Sequence, residues 1–81
     1  MRIDKWKYDL VRRTILQLLP RRGESVRFTD LPRLVDGELS RDVRKRLGST
    51  PWYVTIVKLD MEVKNEIKRV LGSQPQRLLR V

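Results

Sequence analysis

The chain has 81 residues, with 19 lysines and arginines against 10 aspartates and glutamates, which gives a formal net charge of +9. It contains neither cysteine nor histidine, so disulfides, thiolate or imidazole metal sites and histidine-based catalysis are excluded. The length fits one domain over residues 1–81, and no apolar run approaches the ~20 residues of a membrane span, so we expect a cytoplasmic protein with no membrane partner.

The first predicted helix begins after Asp4, a candidate N-cap. It ends at Leu19, because Pro20 disfavours the helical conformation of the residue before it. One face repeats at three- and four-residue spacing, which predicts an amphipathic helix with that face in the core. The residues of this face are Ile3, Trp6, Leu10, Val11, Thr14, Ile15, Leu18 and Leu19.

A short extended stretch at Ser25–Phe28 follows, since β-branched and aromatic residues favour strands. Thr29 is the predicted N-cap of a second helix, in which Pro32 is tolerated because it falls in the first turn. The apolar stripe of this helix is Leu31, Leu34, Val35 and Leu39. Ser40 is a candidate cap for a further short helical segment that ends at Gly48.

The third predicted helix has the clearest start in the chain, because Ser49 and Thr50 offer hydroxyl caps and Pro51 suits the first helical position. It runs to about Lys64 and is apolar over most of its circumference, so we expect it at the centre of the fold. One predicted core stripe is Trp52, Ile56, Leu59 and Val63, and a second beside it is Tyr53, Val54, Val57 and Met61. The remaining polar strip is Thr55, Lys58 and Glu62.

The last part of the chain predicts a β-hairpin. Asn65 tolerates the left-handed conformation that ends a helix, and Ile67–Val70 and Gln76–Val81 are the predicted strands on either side of a turn at residues 71–75. The hairpin must pack beside the third helix, since its apolar side chains cannot remain in water. The predicted fold is therefore α+β: a winged helix-turn-helix, with a three-helix core, a short strand after helix 1 and a C-terminal β-hairpin wing.

The sequence also resembles known families. Residues Val26–Leu31 resemble the strand-to-helix junction before the second helix of winged helix-turn-helix proteins, and Leu59–Arg69 resemble their recognition helix running into the wing. The segments Trp52–Tyr53, Val57–Glu62 and Arg69–Leu78 resemble a family of short, uncharacterised bacterial proteins. The first resemblance implies binding to double-stranded DNA, and the second brings no established activity.

If the protein reads DNA, the third helix enters the major groove with its polar strip towards the base edges. The candidate contacts on this helix are Thr50, Tyr53, Thr55 and Lys58, with Ser49 as a further candidate. The hydroxyls of Ser49 and Thr50, at the start of this helix, have an alternative role as helix caps. Trp6 and Trp52 are predicted to belong to the core, since both fall on apolar stripes.

Most cations flank the third helix, and residues 41–81 carry 10 basic and 4 acidic groups, or +6. Flanking cations suit phosphate contacts, which position a protein without reading sequence. The predicted phosphate contacts are Arg41, Arg44, Lys45 and Arg46 before the helix, and Lys68, Arg69, Arg77 and Arg80 on the hairpin. Ser73, at the tip of the wing, is a further candidate for a DNA contact. The alternative for the basic segment before the helix is a solvated surface.

No phosphate-binding glycine loop, metal-ligand cluster or nucleophile–base pair is present, so we expect no enzymatic activity, no cofactor and no metal. The hypothesis is a small DNA-binding protein, a regulator of transcription, that is a monomer or a weak homodimer. The alternative is a protein-interaction module on the same fold, because the third helix carries few cations. RNA is less expected, since aromatic residues are few and mostly assigned to the core.

Overall fold

The computed structural model describes residues 3–72 and 74–81. The fold is α+β, with four helices and a three-stranded antiparallel sheet among these residues. In chain order the elements are α1 (Lys5–Leu18), β1 (Val26–Arg27), α2 (Leu31–Glu38), α3 (Arg41–Leu47), α4 (Thr50–Val63), β2 (Ile67–Arg69) and β3 (Arg77–Arg80). A single turn of 3-10 helix, Phe28–Asp30, leads from β1 into α2.

The helix boundaries follow from local sequence. Leu19 has an extended backbone that ends α1 before Pro20, as predicted. The second helix begins at Leu31 rather than after Thr29, because the 3-10 turn occupies the preceding residues. The predicted start of the long apolar helix near Pro51 is confirmed, since α4 begins at Thr50.

The predicted helical segment after Ser40 is confirmed as α3, so the described chain has four helices rather than three, although the core is formed mainly by the other three. The Ser40 hydroxyl accepts a hydrogen bond from the Val43 backbone N–H at 3.2 Å and so caps α3. Gly48, with φ of +91°, ends α3 as predicted, in a backbone conformation that other residues rarely adopt. Two short helices therefore precede α4, and only Leu47 of α3 is buried.

The sheet is built in the order β1-β3-β2, so the C-terminal strand lies in the middle. Val26 of β1 pairs with Leu78 of β3, and Ile67 of β2 pairs with Arg80. The predicted hairpin is confirmed, and Asn65, with φ of +60°, provides the left-handed residue between α4 and β2. Leu78 and Ile67 point into the core and join the sheet to the helices.

The core lies between one face of α4, the buried faces of α1 and α2, and the sheet. Its buried hydrophobic residues are Val11, Ile15, Leu19, Leu31, Val35, Leu47, Val54, Val57, Met61, Ile67 and Leu78. The second predicted stripe of the long helix therefore faces the core. The assignment of Leu59 and Val63 to the core is wrong, since these side chains are 46% and 81% exposed.

Both tryptophans differ from their predicted positions. Trp6 is 46% exposed and Trp52 is 44% exposed, so neither is a core residue. Trp52 packs edge-on against Tyr53, with ring centroids 4.8 Å apart. The periodicity of α1 and α4 correctly predicted amphipathic helices, but it assigned both tryptophans to a buried face because each has apolar neighbours at helical spacing.

Candidate functional site

The densest group of exposed cations in the described part of the chain lies on α3. Arg41, Arg44, Lys45 and Arg46 are all exposed, and none forms an ion pair with an acidic group among residues 3–72 and 74–81. Asp42 is the one acidic residue within the helix, which leaves a local charge of +3 from four cations and one carboxylate. This helix is therefore a cationic surface rather than part of an ion-pair network.

Three of these cations share one open hollow of about 510 Å³. Arg41, Arg44 and Lys45 line it together with Gly48 and Asp36. The carboxylate of Asp36 is held on the side of α4, where its Oδ1 accepts a hydrogen bond from the Thr50 hydroxyl at 2.6 Å. The hollow therefore presents three long, exposed cationic side chains beside a carboxylate that already has a partner.

Arg46 lies on another side of α3. It borders a separate hollow of about 430 Å³, which Trp6, Leu10 and Val43 also line. The four predicted phosphate contacts before α4 are thus divided, three around the first hollow and one facing α1.

The structure places Lys58 away from solvent, so its assignment to an exposed polar strip is wrong. Its side chain is about 3% exposed and forms an ion pair with Glu62, one turn along α4. The ammonium lies 4.5 Å from the centroid of the Phe28 ring, a cation–π contact. A DNA contact from Lys58 would require this ammonium to leave both partners.

The other predicted contacts on α4 have partners within the chain. Thr50 is buried, and its hydroxyl joins α4 to α2 through the hydrogen bond to Asp36. Tyr53 is half-buried and accepts a hydrogen bond of 3.2 Å from the Lys7 ammonium. Thr55 is exposed, although its hydroxyl donates to the Pro51 carbonyl at 2.8 Å. Among the four, Thr55 alone lies on the outward side of the helix.

The cations of the hairpin differ in whether they have partners within the chain. Arg69 forms an ion pair with Glu62 at 2.7 Å, and Arg77 donates two hydrogen bonds of 2.7 Å to the hydroxyl and carbonyl oxygens of Ser25. Lys68 is exposed, with no ion-pair partner among the residues that the structure covers, and Arg80 is half-buried. Ser73, the predicted contact at the turn, lies outside the described residues.

The outward side of α4 is apolar. Trp52, Leu59 and Val63 are exposed and Ile56 is partly exposed, at spacings of four, three and four residues along the helix. These four residues, named here the α4 strip, lie opposite the buried residues Val54, Val57 and Met61. The sequence did contain this signal. The helix is apolar on all sides, and a fold of this size is too small to bury all of them, so one side must be exposed.

A second group that sequence reasoning missed joins α1 to α4. The Tyr8 hydroxyl donates to Asp60, and Lys64 pairs with Asp60 at 2.9 Å. Hydrogen bonding from Tyr8, and then from Lys64, lowers the pKa of Asp60. Burial first, and the hydrogen bond to Asp60 second, raise the pKa of Tyr8.

The ion pair between Arg12 and Glu66 lies close to this group. Two hydrogen bonds of 3.0 Å join the Arg12 Nε to the two carboxylate oxygens, and they lower the pKa of Glu66. Arg12 and Glu66 are 54 residues apart in the sequence, so no local pattern could have predicted their pairing. The pair fixes α1 against the end of α4 and lies at the edge of a small hollow of about 210 Å³.

The chain matches the model of a family of unknown function, DUF6958, over residues 1–78. The chain belongs to the DUF6958 family. No curated protein and no solved structure matches it.

The described residues of this DUF6958 chain hold no group of three or more acidic, cysteine or histidine side chains that could bind a metal ion. No helix among them is long and apolar enough to cross a membrane. Two surfaces of the DUF6958 chain were described above, the exposed cations of α3 and the apolar α4 strip.

Proposed function

We propose that the protein binds duplex DNA through its phosphate backbone, and that the hollow lined by Arg41, Arg44 and Lys45 holds the phosphates. The observation that carries this proposal is the lack of any ion pair at these exposed cations within the described chain. A cation without an intramolecular partner is available to neutralise a phosphate and release its counterions. Arg46, on the α1 side of α3, and Lys68, on β2, are further exposed cations that form no ion pair with another described residue.

The chemistry of the side chains supports a phosphate ligand. Two of the three cations in the hollow are arginines, whose planar guanidinium groups bind phosphate oxygens through two parallel hydrogen bonds. The net charge of +9 adds a long-range attraction that brings any polyanion towards the chain. Duplex DNA presents phosphates at regular spacing, so several cations on one side of a protein bind it together.

The order of elements supports a winged helix-turn-helix, in which a helix, a strand, further helices and a hairpin follow one another and the first strand joins the hairpin. In that fold α4 takes the place of the recognition helix. Its outward side chains are the α4 strip and Thr55, and only the Thr55 hydroxyl and the Trp52 indole N–H can form hydrogen bonds with base edges. We therefore assign the binding to phosphates, with little reading of sequence. A role in the cytoplasm as a regulator of transcription belongs to the same proposal.

The experiment is titration of a fluorescently labelled duplex with the protein at several salt concentrations. Three phosphate contacts predict a slope of log K against log salt of about −3. The double variant Arg44→Gln, Lys45→Gln should reduce the magnitude of that slope by about two. Equal slopes for this variant and the wild type would contradict the assignment to α3.

The matched control is Arg21→Gln, Arg22→Gln, which removes the same charge. Both arginines are exposed in the turn after α1, and neither forms an ion pair with another described residue. We expect the control to keep the slope of the wild type. Absence of any duplex binding at about 50 mM salt would overturn the proposal as a whole.

A second function is favoured by a separate observation. The α4 strip has three exposed apolar side chains and one partly exposed on the most central helix of the fold, and contiguous apolar surface is a feature of protein interfaces. A protein-interaction module is therefore the second candidate, and it uses a surface different from the α3 hollow.

A further inference from the structure

The α4 strip has the spacing of a helix-pairing seam. Trp52, Ile56, Leu59 and Val63 follow one another at intervals of four, three and four residues, the pattern by which two helices pack along their length. The opposite side of the helix packs against the core. Helix α4 therefore has two apolar sides, of which one packs in the core and the other is exposed at Trp52, Leu59 and Val63.

We propose that a second copy of this chain covers the strip, so that α4 of one copy packs antiparallel against α4 of the other. This proposal rests on the second function above, the protein-interaction module, and commits to a copy of the same chain as the partner. A two-fold axis makes one patch meet itself, which requires the patch to be self-complementary.

The sizes of the side chains meet this requirement. An antiparallel two-fold arrangement centred between Ile56 and Leu59 sets Ile56 against Leu59 of the second copy at the middle. At each end it sets Trp52, the largest side chain of the strip, against Val63 of the second copy, the smallest. The middle layers then pair two isomeric side chains of equal size, and the end layers pair the largest residue of the strip with the smallest, so the helices remain at an even distance along the interface.

The charges beside the strip also agree with this arrangement. Asp60 and Glu62 flank the strip, and both are neutralised within their own chain, Asp60 by Lys64 and Glu62 by Lys58. The antiparallel arrangement brings Asp60 beside Tyr53 of the second copy and Glu62 beside Thr55 of the second copy. No carboxylate therefore faces a carboxylate, an arrangement that would oppose association.

The area sets the strength of the dimer. Helix α4 has 14 residues and is about 21 Å long, so two such helices bury in total less than the about 1,200 Å² of a stable interface. Each copy also carries a net charge of +9, which repels the other copy at low salt. The expected dimer is weak, and it should become stronger as salt screens the repulsion. Binding to DNA should show the opposite dependence on salt.

Sedimentation velocity of the full chain tests the proposal at about 10 and about 500 µM protein, in low and high salt. We expect monomer at the lower concentration and dimer at the higher one, with more dimer in high salt. Leu59→Glu should abolish the dimer, because it places a charge at the centre of the seam. Leu71→Glu, at a turn residue that is 96% exposed, is the matched control and should dimerise like the wild type.

The antiparallel direction has its own test, since the chain contains no cysteine. A mixture of Trp52→Cys and Val63→Cys proteins should be joined by a short bismaleimide, whereas Val63→Cys alone should not, because the two Val63 positions then lie about 16 Å apart along the seam. Efficient cross-linking of Val63→Cys alone would overturn the antiparallel arrangement.

A monomer at every concentration and salt, or a dimer that Leu59→Glu leaves intact, would overturn the proposal of a second copy. A monomer throughout would leave a different protein as the occupant of the strip. The duplex titration on Leu59→Glu separates this result from the DNA proposal, since the α3 cations are unchanged in that variant and its slope should equal that of the wild type.

Discussion

The ammonium of Lys58 lies 4.5 Å from the centroid of the Phe28 ring, on the side of α4 that faces the 3-10 turn before α2. The same ammonium pairs with Glu62, and Glu62 in turn pairs with Arg69 of β2. A buried charge is thus held by one carboxylate and one aromatic ring. This group joins α4 to both the 3-10 turn and the sheet, so its main effect should be on stability.

We predict that Glu62→Gln destabilises the fold by about 3 kcal/mol, because the variant leaves the Lys58 ammonium buried without its counter-ion. Lys58→Met should change the free energy of unfolding by less than about 1 kcal/mol, since the apolar side chain fits beside Phe28 and Glu62 keeps its pair with Arg69. Urea unfolding measures both values. Glu24→Gln, at an exposed position, is the control, and a larger loss for Lys58→Met than for Glu62→Gln would contradict this account.

The two apolar sides of α4 should differ sharply in mutational cost. Met61 is fully buried, and Met61→Ala should destabilise the fold by about 2–4 kcal/mol, because it opens a cavity in the core. Leu59→Ala should cost less than about 1 kcal/mol at low protein concentration, since Leu59 is half-exposed. Thermal or urea unfolding of the two variants checks the order. The reverse order would mean that α4 is turned the other way in solution.

Several starts and ends of the elements could be predicted because their causes are local, whereas the 3-10 turn that delays the start of α2 to Leu31 was missed. Ser40, Gly48 and Asn65 act on the backbone within a few residues, and each occupies the predicted cap, stop or left-handed position. The hairpin was likewise predictable from two short apolar stretches and the turn between them. These features need no knowledge of what packs against them.

The orientation of α4 could not be predicted in the same way. Apolar residues surround most of this helix, so periodicity gives two candidate core faces and does not choose between them. The choice depends on which face meets α1, α2 and the sheet, and that is a long-range property. Lys58 was assigned to the surface because lysine is rarely buried, and its pairing with Glu62 and Phe28 was the exception.

The candidate site was predictable in part for a similar reason. The cations of α3 are exposed, but Arg69 and Arg77 of the hairpin have intramolecular partners that lie 7 and 52 residues away in sequence. A charge count along the sequence cannot distinguish a free arginine from a paired one. The predicted phosphate contacts on the hairpin therefore remain predictions, and the structure gives the α3 cations the stronger case.

Acid should weaken the contact between α1 and α4. The pKa of Glu66 is lowered, chiefly by its hydrogen bonds to Arg12, so this carboxylate binds a proton more readily in the unfolded chain than in the folded one. The stability that it contributes is present above the ordinary glutamate pKa of about 4.3 and is lost as the pH falls through the lower, folded value. Asp60, whose pKa is lowered by Tyr8, acts in the same direction.

Melting temperatures between about pH 7 and pH 3 test this dependence. Glu66→Gln should melt at a lower temperature than the wild type at pH 7, and the difference should shrink below about pH 4, where the wild-type carboxylate becomes protonated. Glu24→Gln is the control, because it removes an exposed carboxylate. Parallel curves for Glu66→Gln and the wild type over the whole range would show that the pair with Arg12 contributes nothing to the pH dependence.

Arg77 and Arg44 should separate stability from binding. Arg77 donates hydrogen bonds to both oxygens of Ser25, so it ties β3 to the residue that precedes β1. Arg77→Ala should destabilise the fold by about 1.5–3 kcal/mol, the usual range for hydrogen bonds from a charged group, and should leave the salt slope of duplex binding close to that of the wild type.

Arg44 is exposed and unpaired among the described residues, so Arg44→Ala should leave stability unchanged and reduce the magnitude of the slope by about one. Urea unfolding and the duplex titration on both variants give the four values. A loss of slope in Arg77→Ala as large as that in Arg44→Ala would show that Arg77 leaves Ser25 to bind a phosphate, and the binding surface would then extend from α3 to the hairpin.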